Sequence, residues 1–179
     1  ARKVRPAFIA TGAMSDPYNP FEASLQLTRH ALELIDAYQC GAAIATKSDL
    51  IVRDGDILDS IARHSPVICK LTITTTDDAL AARLEPGAPS PSRRLAALRE
   101  LADRGLFAGV LLMPVLPFLE DTEENVLEVV ERAAEAGASF VYPALGVTMR
   151  EGQREYFLQG LEDAFPGQEL RARYLRRSH

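Results

Sequence analysis

Stretches of strand length that are almost wholly apolar alternate five times with longer stretches of helical period along this chain of 179 residues. The strand-like stretches are residues 7–13, 42–47, 67–75, 107–115 and 140–145. Continuous apolar runs are typical of strands that are buried on both faces. The alternation therefore predicts one parallel sheet covered by helices, because parallel neighbours need long, right-handed crossover connections.

The intervening stretches carry apolar residues at helical spacing and are bounded by capping residues and glycines. Asp77 or Asp78 can cap one short helical turn, and Ser90 or Ser92 can cap a longer helix. The predicted longer helices cover residues 21–38, 54–64, 90 or 92 to 104, 122–136 and 151–165.

Five such units curve a sheet without closing it. A closed barrel of eight units needs about 250 residues, which is more than this chain has. The sequence therefore predicts an α/β fold, an open partial (β/α) barrel of about five parallel strands, with a flat doubly wound sheet as the alternative. We expect a single domain over residues 1–179 with a basic C-terminal segment at 168–179.

Composition excludes some classes of function. The chain has 25 acidic and 20 basic residues, and this net charge of -5 disfavours binding of nucleic acid through bulk charge. A solvated helix end is the favoured interpretation of the final arginines, ahead of a phosphate-binding arm. The apolar runs fall well short of the roughly 20 residues that cross a membrane, and no leader is evident, so we expect a cytoplasmic protein.

Two cysteines, Cys40 and Cys69, are too few for a disulfide framework and cannot alone hold a metal cluster. We expect them to be reduced thiols in or near the core, as in a cytoplasmic protein.

Ligands of parallel α/β folds bind where the strands end, so the strand ends are the place to look for a site. Hydroxyls and charges cluster there, at residues 11–16, 46–49 and 72–76. Alternation along the third strand should place Lys70, Thr72 and Thr74 on one face.

Lys47 is the most informative residue of this set, because a lysine at the end of a buried strand needs an anion. It can bind the carboxylate or phosphate of a ligand. It can instead pair internally with Asp49, Asp54 or Glu85, or act as a Schiff-base nucleophile.

The sequence does not indicate a phosphate-binding loop, a catalytic histidine or a pair of catalytic carboxylates. No Walker loop or GxGxxG is present, and none of the three histidines falls at a strand end. Asp16 and Glu85 are isolated acids, which disfavours a mechanism with paired carboxylates. The residues alone predict a site for a polar, partly anionic small molecule, and the catalytic residues stay unknown.

Several motifs in register resemble one known family. They are TKSDLIVRD at 46–54, ITT at 73–75, RLEPGAPSP at 83–91, RL at 94–95 and MPVLP at 113–117, flanked by similar stretches at 11–22 and 150–157. Together they resemble the radical SAM proteins of the spore photoproduct lyase-like group, which is associated with DNA repair. The resemblance implies a lyase with a partial barrel, S-adenosylmethionine, a [4Fe-4S] cluster, radical chemistry and nucleic acid as a candidate partner.

The resemblance also implies roles for individual residues. Residues 11–16, with Ser15 and Asp16, would meet the methionine amino group of the cofactor, and Lys47 would meet its carboxylate. Thr72 or Thr74 would contact the ribose, and Met113 and Val115 would contact the adenine. Glu85 and Arg94 would position each other or the cofactor. The alternative for Glu85 and Arg94 is that they only tie a loop to a helix.

One feature of the family is missing. Its CxxxCxxC cluster loop should precede residue 7, and Cys40 and Cys69 do not replace it. We therefore expect a central fragment that lacks its first strand and cluster loop, is inert as given, and self-associates through the exposed edge of strand 7–13. The alternative is a cluster-independent α/β enzyme or small-molecule binding domain that uses Lys47 as nucleophile or anion anchor.

Overall fold

A computed structural model of the protein describes residues 7–145 and 152–177. Five strands form one sheet in the order in which they occur along the chain, and all neighbours are parallel. The strands are β1 (Phe8–Thr11), β2 (Gly41–Thr46), β3 (Val67–Thr72), β4 (Phe107–Val115) and β5 (Val141–Leu145). The predicted α/β fold with five parallel strands is confirmed.

Helices follow every strand, and a 3-10 helix at Asp49–Asp54 follows β2. The helices are α1 (Glu22–Leu25), α2 (Leu27–Ala37), α3 (Gly55–Ala62), α4 (Asp78–Leu84), α5 (Pro91–Asp103), α6 (Glu123–Glu135), α7 (Gln153–Ala164) and α8 (Leu170–Arg177).

The caps agree with the sequence pattern. Asp77 accepts the backbone N–H groups of Ala79 and Leu80 at the start of α4. Ser90 accepts the backbone N–H of Arg93 in α5. Thr122 caps α6 in the same way.

The single helix predicted over residues 21–38 is wrong, because the structure has two helices there. Gln26 takes a left-handed conformation, with φ of 52°, between α1 and α2. The Glu22 carboxylate accepts the backbone N–H groups of Thr28 (2.9 Å) and Arg29 (3.4 Å). Glu22 thus caps the second helix from a distance, which a search for an adjacent capping residue does not find.

The main core lies between the outer face of the sheet and the helices. Outward-facing strand residues such as Ile44, Leu71 and Val110 pack there against Leu58 and Leu98 from the helices. Cys40 and Cys69 belong to this core as free, buried thiols, and burial raises the pKa of Cys69 to about 12. The expectation that they are core thiols is confirmed.

β1 lies at the edge of the described sheet and pairs there with β2. Phe8 and Ile9 are 48% and 39% exposed, so the burial on both faces predicted from apolar content is wrong, whereas the edge position expected from the resemblance is found in the described sheet. β5 is also largely exposed. A strand at the edge of a sheet has a neighbour on one side only, and apolar content alone does not reveal that position. Self-association through β1 stays a prediction.

The C-terminal helices α7 and α8 form a second, smaller core with α4 and the loop after β4. The Arg173 guanidinium lies 4.0 Å from the centre of the Phe118 ring, and Tyr174 Oη donates to the Pro117 carbonyl. Arg171 forms an ion pair with Glu155. The final arginines thus lie on a helix, where Arg171 and Arg173 make contacts at the protein surface, and the solvated helix end stays the favoured interpretation.

Across the two described ranges, none of the helices combines the length and the apolar character that crossing a bilayer requires.

Candidate active site

A cavity of about 1080 Å³ runs along the inner face of the sheet to the carboxyl ends of the strands. All five strands or the loops after them line it, as expected for the site of a parallel α/β fold. The polar and charged residues in its lining are Thr11, Ser15, Asp16, Thr46, Lys47, Lys70, Thr72 and Tyr142. A cavity therefore lies where the sequence places the site, and its use as a binding site stays a prediction.

The loop after β1 is fixed to the end of β2 by Asp16. Its carboxylate accepts bonds from the Thr46 hydroxyl (2.6 Å), the Lys47 backbone N–H (2.7 Å) and the Tyr18 backbone N–H (2.9 Å). Gly12 has φ of 91°, and a Cβ there would lie 2.0 Å from the Ala45 carbonyl oxygen. Only glycine allows this approach of loop to strand. Asp16 therefore shapes the site, while the neighbouring Ser15 is exposed in the cavity wall.

Lys47 lines the cavity and forms an ion pair with Glu85. Glu85 uses its other carboxylate oxygen to bind Arg94 at 2.6 Å. Arg94, only 2% exposed, also donates to the carbonyls of Thr72 (2.9 Å) and Pro89 (2.7 Å). Of the internal partners considered for Lys47 in the sequence analysis, the structure shows Glu85. Glu85 and Arg94 also bind each other, and they join the loop to α5 and to the end of β3.

The Lys47–Glu85–Arg94 set is charged and carries one net positive charge. Burial raises the pKa of Glu85, but the nearby Lys47 ammonium and the Arg94 guanidinium outweigh this effect and leave the pKa below its usual value. Lys47 is held in an ion pair with this carboxylate at the cavity wall, a geometry that suits binding of an anion better than attack on a carbonyl.

Lys70 and Thr72 line the cavity from β3, as the alternation predicts. Thr74 does not share their position, because β3 ends at Thr72. Its hydroxyl donates to Glu120 (2.6 Å).

Glu120 is a buried carboxylic acid that the sequence did not single out. It accepts the Thr74 hydroxyl on one oxygen and the Leu116 backbone N–H (2.9 Å) on the other. Burial raises its pKa above the usual value. An isolated glutamate in a turn gives no sequence signal of burial, so only the fold reveals it.

The raised pKa of Glu120 predicts a pH dependence. The folded state holds this proton more tightly than the unfolded state, so stability is lost as pH rises from the unfolded pKa through the folded pKa. Glu120→Gln should remove this loss, so its free energy of unfolding should vary less with pH than that of the wild type above about pH 4.5. Urea unfolding at a series of pH values measures the difference, with Glu124→Gln on the exposed start of α6 as the control. Parallel curves for wild type and Glu120→Gln would refute the assignment.

Met113 lines the cavity, whereas Val115 is buried in the main core. The expectation that both face the cofactor is wrong for Val115. The register between β4 and β5 shifts by one residue between Leu112 and Val115, which reverses the inward and outward alternation beyond that point.

The motif at residues 46–54 is mostly structural. Asp54, fully buried, accepts Tyr18 Oη (3.0 Å) and pairs with Arg29 and Arg53, and Arg53 also pairs with Glu22. This network fixes the 3-10 helix against the segment before α2. Only Thr46 and Lys47 of the motif line the cavity.

The residues present do not fit an iron–sulfur cluster. Within residues 7–145 and 152–177, no group of three or more His, Cys, Asp or Glu side chains is arranged to hold a metal ion. Cys40 and Cys69 belong to the core on the opposite face of the sheet from the cavity. The cavity does fit an elongated polar cofactor with a carboxylate, because Lys47, Ser15 and Thr72 line it.

The relatives by sequence include proteins that are described only as uncharacterized. A protein of Mycobacterium tuberculosis is 31% identical over 166 residues, which is 93% of this chain and 48% of the relative. The chain thus spans about half the length of the curated relatives it matches. No family model matches the chain.

Solved structures are similar over most of the chain. A spore photoproduct lyase variant with bound AdoMet and dinucleoside spore photoproduct superposes with a TM-score of 0.59, at 19% identity, over 89% of this chain and 45% of the lyase. Streptococcus suis SuiB bound to S-adenosylmethionine gives 0.56, at 14% identity, over 91% of this chain and 36% of SuiB. The chain therefore has the same fold as these two proteins over most of its length. The partial barrel expected from the resemblance is therefore confirmed, and a flat doubly wound sheet is not adopted.

Proposed function

We propose that this chain binds S-adenosylmethionine and forms part of a radical SAM enzyme of the spore photoproduct lyase-like group. The observation that carries the proposal is the cavity at the strand ends, with Lys47 in its wall, on a fold whose solved examples include two with this cofactor bound. Bound in such enzymes, the cofactor is the source of radical chemistry.

The residues of the cavity suggest how the cofactor would be held. The Lys47 ammonium would bind the methionine carboxylate, since Glu85 occupies one side of the lysine and leaves its other N–H groups for a ligand. Ser15 and the exposed loop at residues 13–15 would meet the amino group. Thr72 would meet the ribose and Met113 the adenine. Asp16, Glu85 and Arg94 would act through the residues that they position.

Equilibrium dialysis with labelled S-adenosylmethionine tests the proposal. We expect saturable binding at one site per chain that S-adenosylhomocysteine displaces and ATP does not. Absence of saturable binding at millimolar concentration would contradict it.

The sequence has no cysteines besides Cys40 and Cys69, so the cluster that radical SAM chemistry requires would be bound by cysteines of a longer protein. The length of the relatives, about twice that of this chain, is consistent with this assignment. We propose nucleic acid as the substrate class of the whole enzyme, supported by the lyase structure solved with a dinucleoside photoproduct.

A cluster-independent binding domain with Lys47 as anion anchor is the second candidate, favoured by the absence of cluster ligands among the described residues. Borohydride trapping of a carbonyl compound on Lys47 would instead favour a role as nucleophile. The ion pair of Lys47 with Glu85 argues against that role.

A further inference from the structure

Lys70 occupies the middle of the inner face of the sheet, two residues before Thr72 on β3. Its neighbours in register are Ala45 on β2 and Gly109 on β4. Side chains at paired positions of adjacent strands lie on the same face. Ala45 has only a methyl group and Gly109 has no side chain. Among these three paired positions, Lys70 therefore has the one long side chain in the cavity wall.

No described residue pairs with Lys70 by an ion pair or hydrogen bond, whereas Lys47 is paired with Glu85. The chain has only three lysines against seventeen arginines, and two of the three line this cavity. An ammonium group in a largely apolar cavity costs free energy unless it meets an anion. Since Lys47 and its carboxylate are already a pair, Lys70 is the unpaired cation of the cavity among the described residues.

Lys70 also lies at a different depth from Lys47. The register of β2 and β3 places Lys47 level with Thr72, so Lys70 is two residues, about 7 Å, deeper along the strand. Phe107 and Phe140 stack beside it at the amino ends of β4 and β5, with ring centroids 5.3 Å apart. A Cβ on Gly109 would lie 2.6 Å from the Phe140 ring, so this glycine makes room for the aromatic floor.

The cavity is long and open, and it extends from the strand ends at Lys47 to Phe107 and Phe140 at the other end of the sheet. Its volume of about 1080 Å³ lies at the upper end of the range of about 300–1,000 Å³ for small-molecule sites. A cofactor held at the rim by Lys47 would leave the deeper part, with Lys70 and the two phenylalanines, for another molecule.

We propose that Lys70 binds the anionic group, a phosphate or a carboxylate, of a second small molecule that shares the cavity with the cofactor and rests an apolar or planar part on Phe107 and Phe140. The inference rests on the proposed function only in assigning Lys47 to the cofactor. It names the chemical class of the molecule that would lie beside S-adenosylmethionine, namely an anion with an apolar body.

The small number of lysines makes a direct test practical. Incorporation of lysine labelled with 13C at the ε carbon gives one NMR signal for each lysine and leaves its charge and all its N–H groups unchanged. Lys47→Arg and Lys70→Arg assign the signals, and Lys3 serves as the internal control. Inorganic phosphate, acetate and S-adenosylmethionine are the probes. Tighter binding of phosphate than of acetate would identify a phosphate ligand, and the reverse order a carboxylate.

We expect phosphate or acetate to shift the Lys70 signal saturably, to leave Lys3 unmoved, and to act equally on protein saturated with S-adenosylmethionine. Lys70→Met should weaken binding of the preferred anion at least about tenfold, measured by calorimetry. Linear shifts that match those of Lys3, or displacement of the cofactor by the anion, would overturn the inference. If S-adenosylmethionine leaves the Lys47 signal unchanged while the anion shifts that of Lys70, the proposed function is refuted and the anion site at Lys70 is retained.

Discussion

Replacing Arg94 with methionine should lower the free energy of unfolding by about 3–5 kcal/mol, the usual effect of removing one partner from a buried ion pair. Arg94 is 2% exposed and bonds to Glu85 and to the carbonyls of Thr72 and Pro89. Methionine would fill much of the volume but would leave all three acceptors without their donor. The loss should therefore come from unpaired polar groups rather than from a cavity.

The neighbouring Arg93 provides a matched control. It is 66% exposed and pairs with Asp49 at the surface, so Arg93→Met should cost less than about 1 kcal/mol. Urea unfolding of the two variants against the wild type measures both effects. Combining Arg94→Met with Glu85→Gln should recover part of the loss, because the carboxylate left without Arg94 is then removed. Equal, small losses for Arg93→Met and Arg94→Met would contradict the proposed role of Arg94.

Much of the fold could be predicted from sequence because burial and capping leave local signals. The bounds of β4 agree with the predicted 107–115, and the three capping residues Asp77, Ser90 and Thr122 lie where the pattern indicates. The break at Gln26 could not be predicted, since it depends on Glu22 reaching across six residues to the start of α2. The exposure of β1 depends on its place in the sheet, which local hydrophobicity does not encode.

Part of the candidate site could also be predicted from the sequence, and part could not. Strand-end position and alternation located Lys47, Lys70 and Thr72 in the cavity wall. Neither signal indicated that the Asp16 carboxylate binds Thr46 and Lys47 and so joins the loop after β1 to the end of β2. These partners lie about thirty residues away in the sequence. Alternation failed for Val115, because a one-residue register shift is invisible in an apolar run.

Lys47→Ala should raise the Kd of S-adenosylmethionine at least about tenfold, which corresponds to the loss of one charge-assisted hydrogen bond. Lys47 lies between Glu85 and the cavity, so its removal would also leave the Glu85 carboxylate facing the carboxylate of the cofactor. The double variant Lys47→Ala with Glu85→Gln separates the two effects, because it removes the repulsion and retains only the loss of the ammonium. Its Kd should lie between those of the wild type and Lys47→Ala.

Isothermal titration of S-adenosylmethionine into the wild type, Lys47→Ala and Lys70→Ala compares the two lysines of the cavity as ligands of the cofactor. Both lysines line the same cavity, but only Lys47 is level with the strand ends. We expect the Kd to rise at least about tenfold for Lys47→Ala and to change less than about twofold for Lys70→Ala. Equal effects of the two substitutions, or no effect of either, would contradict the claim that this chain holds the cofactor through Lys47.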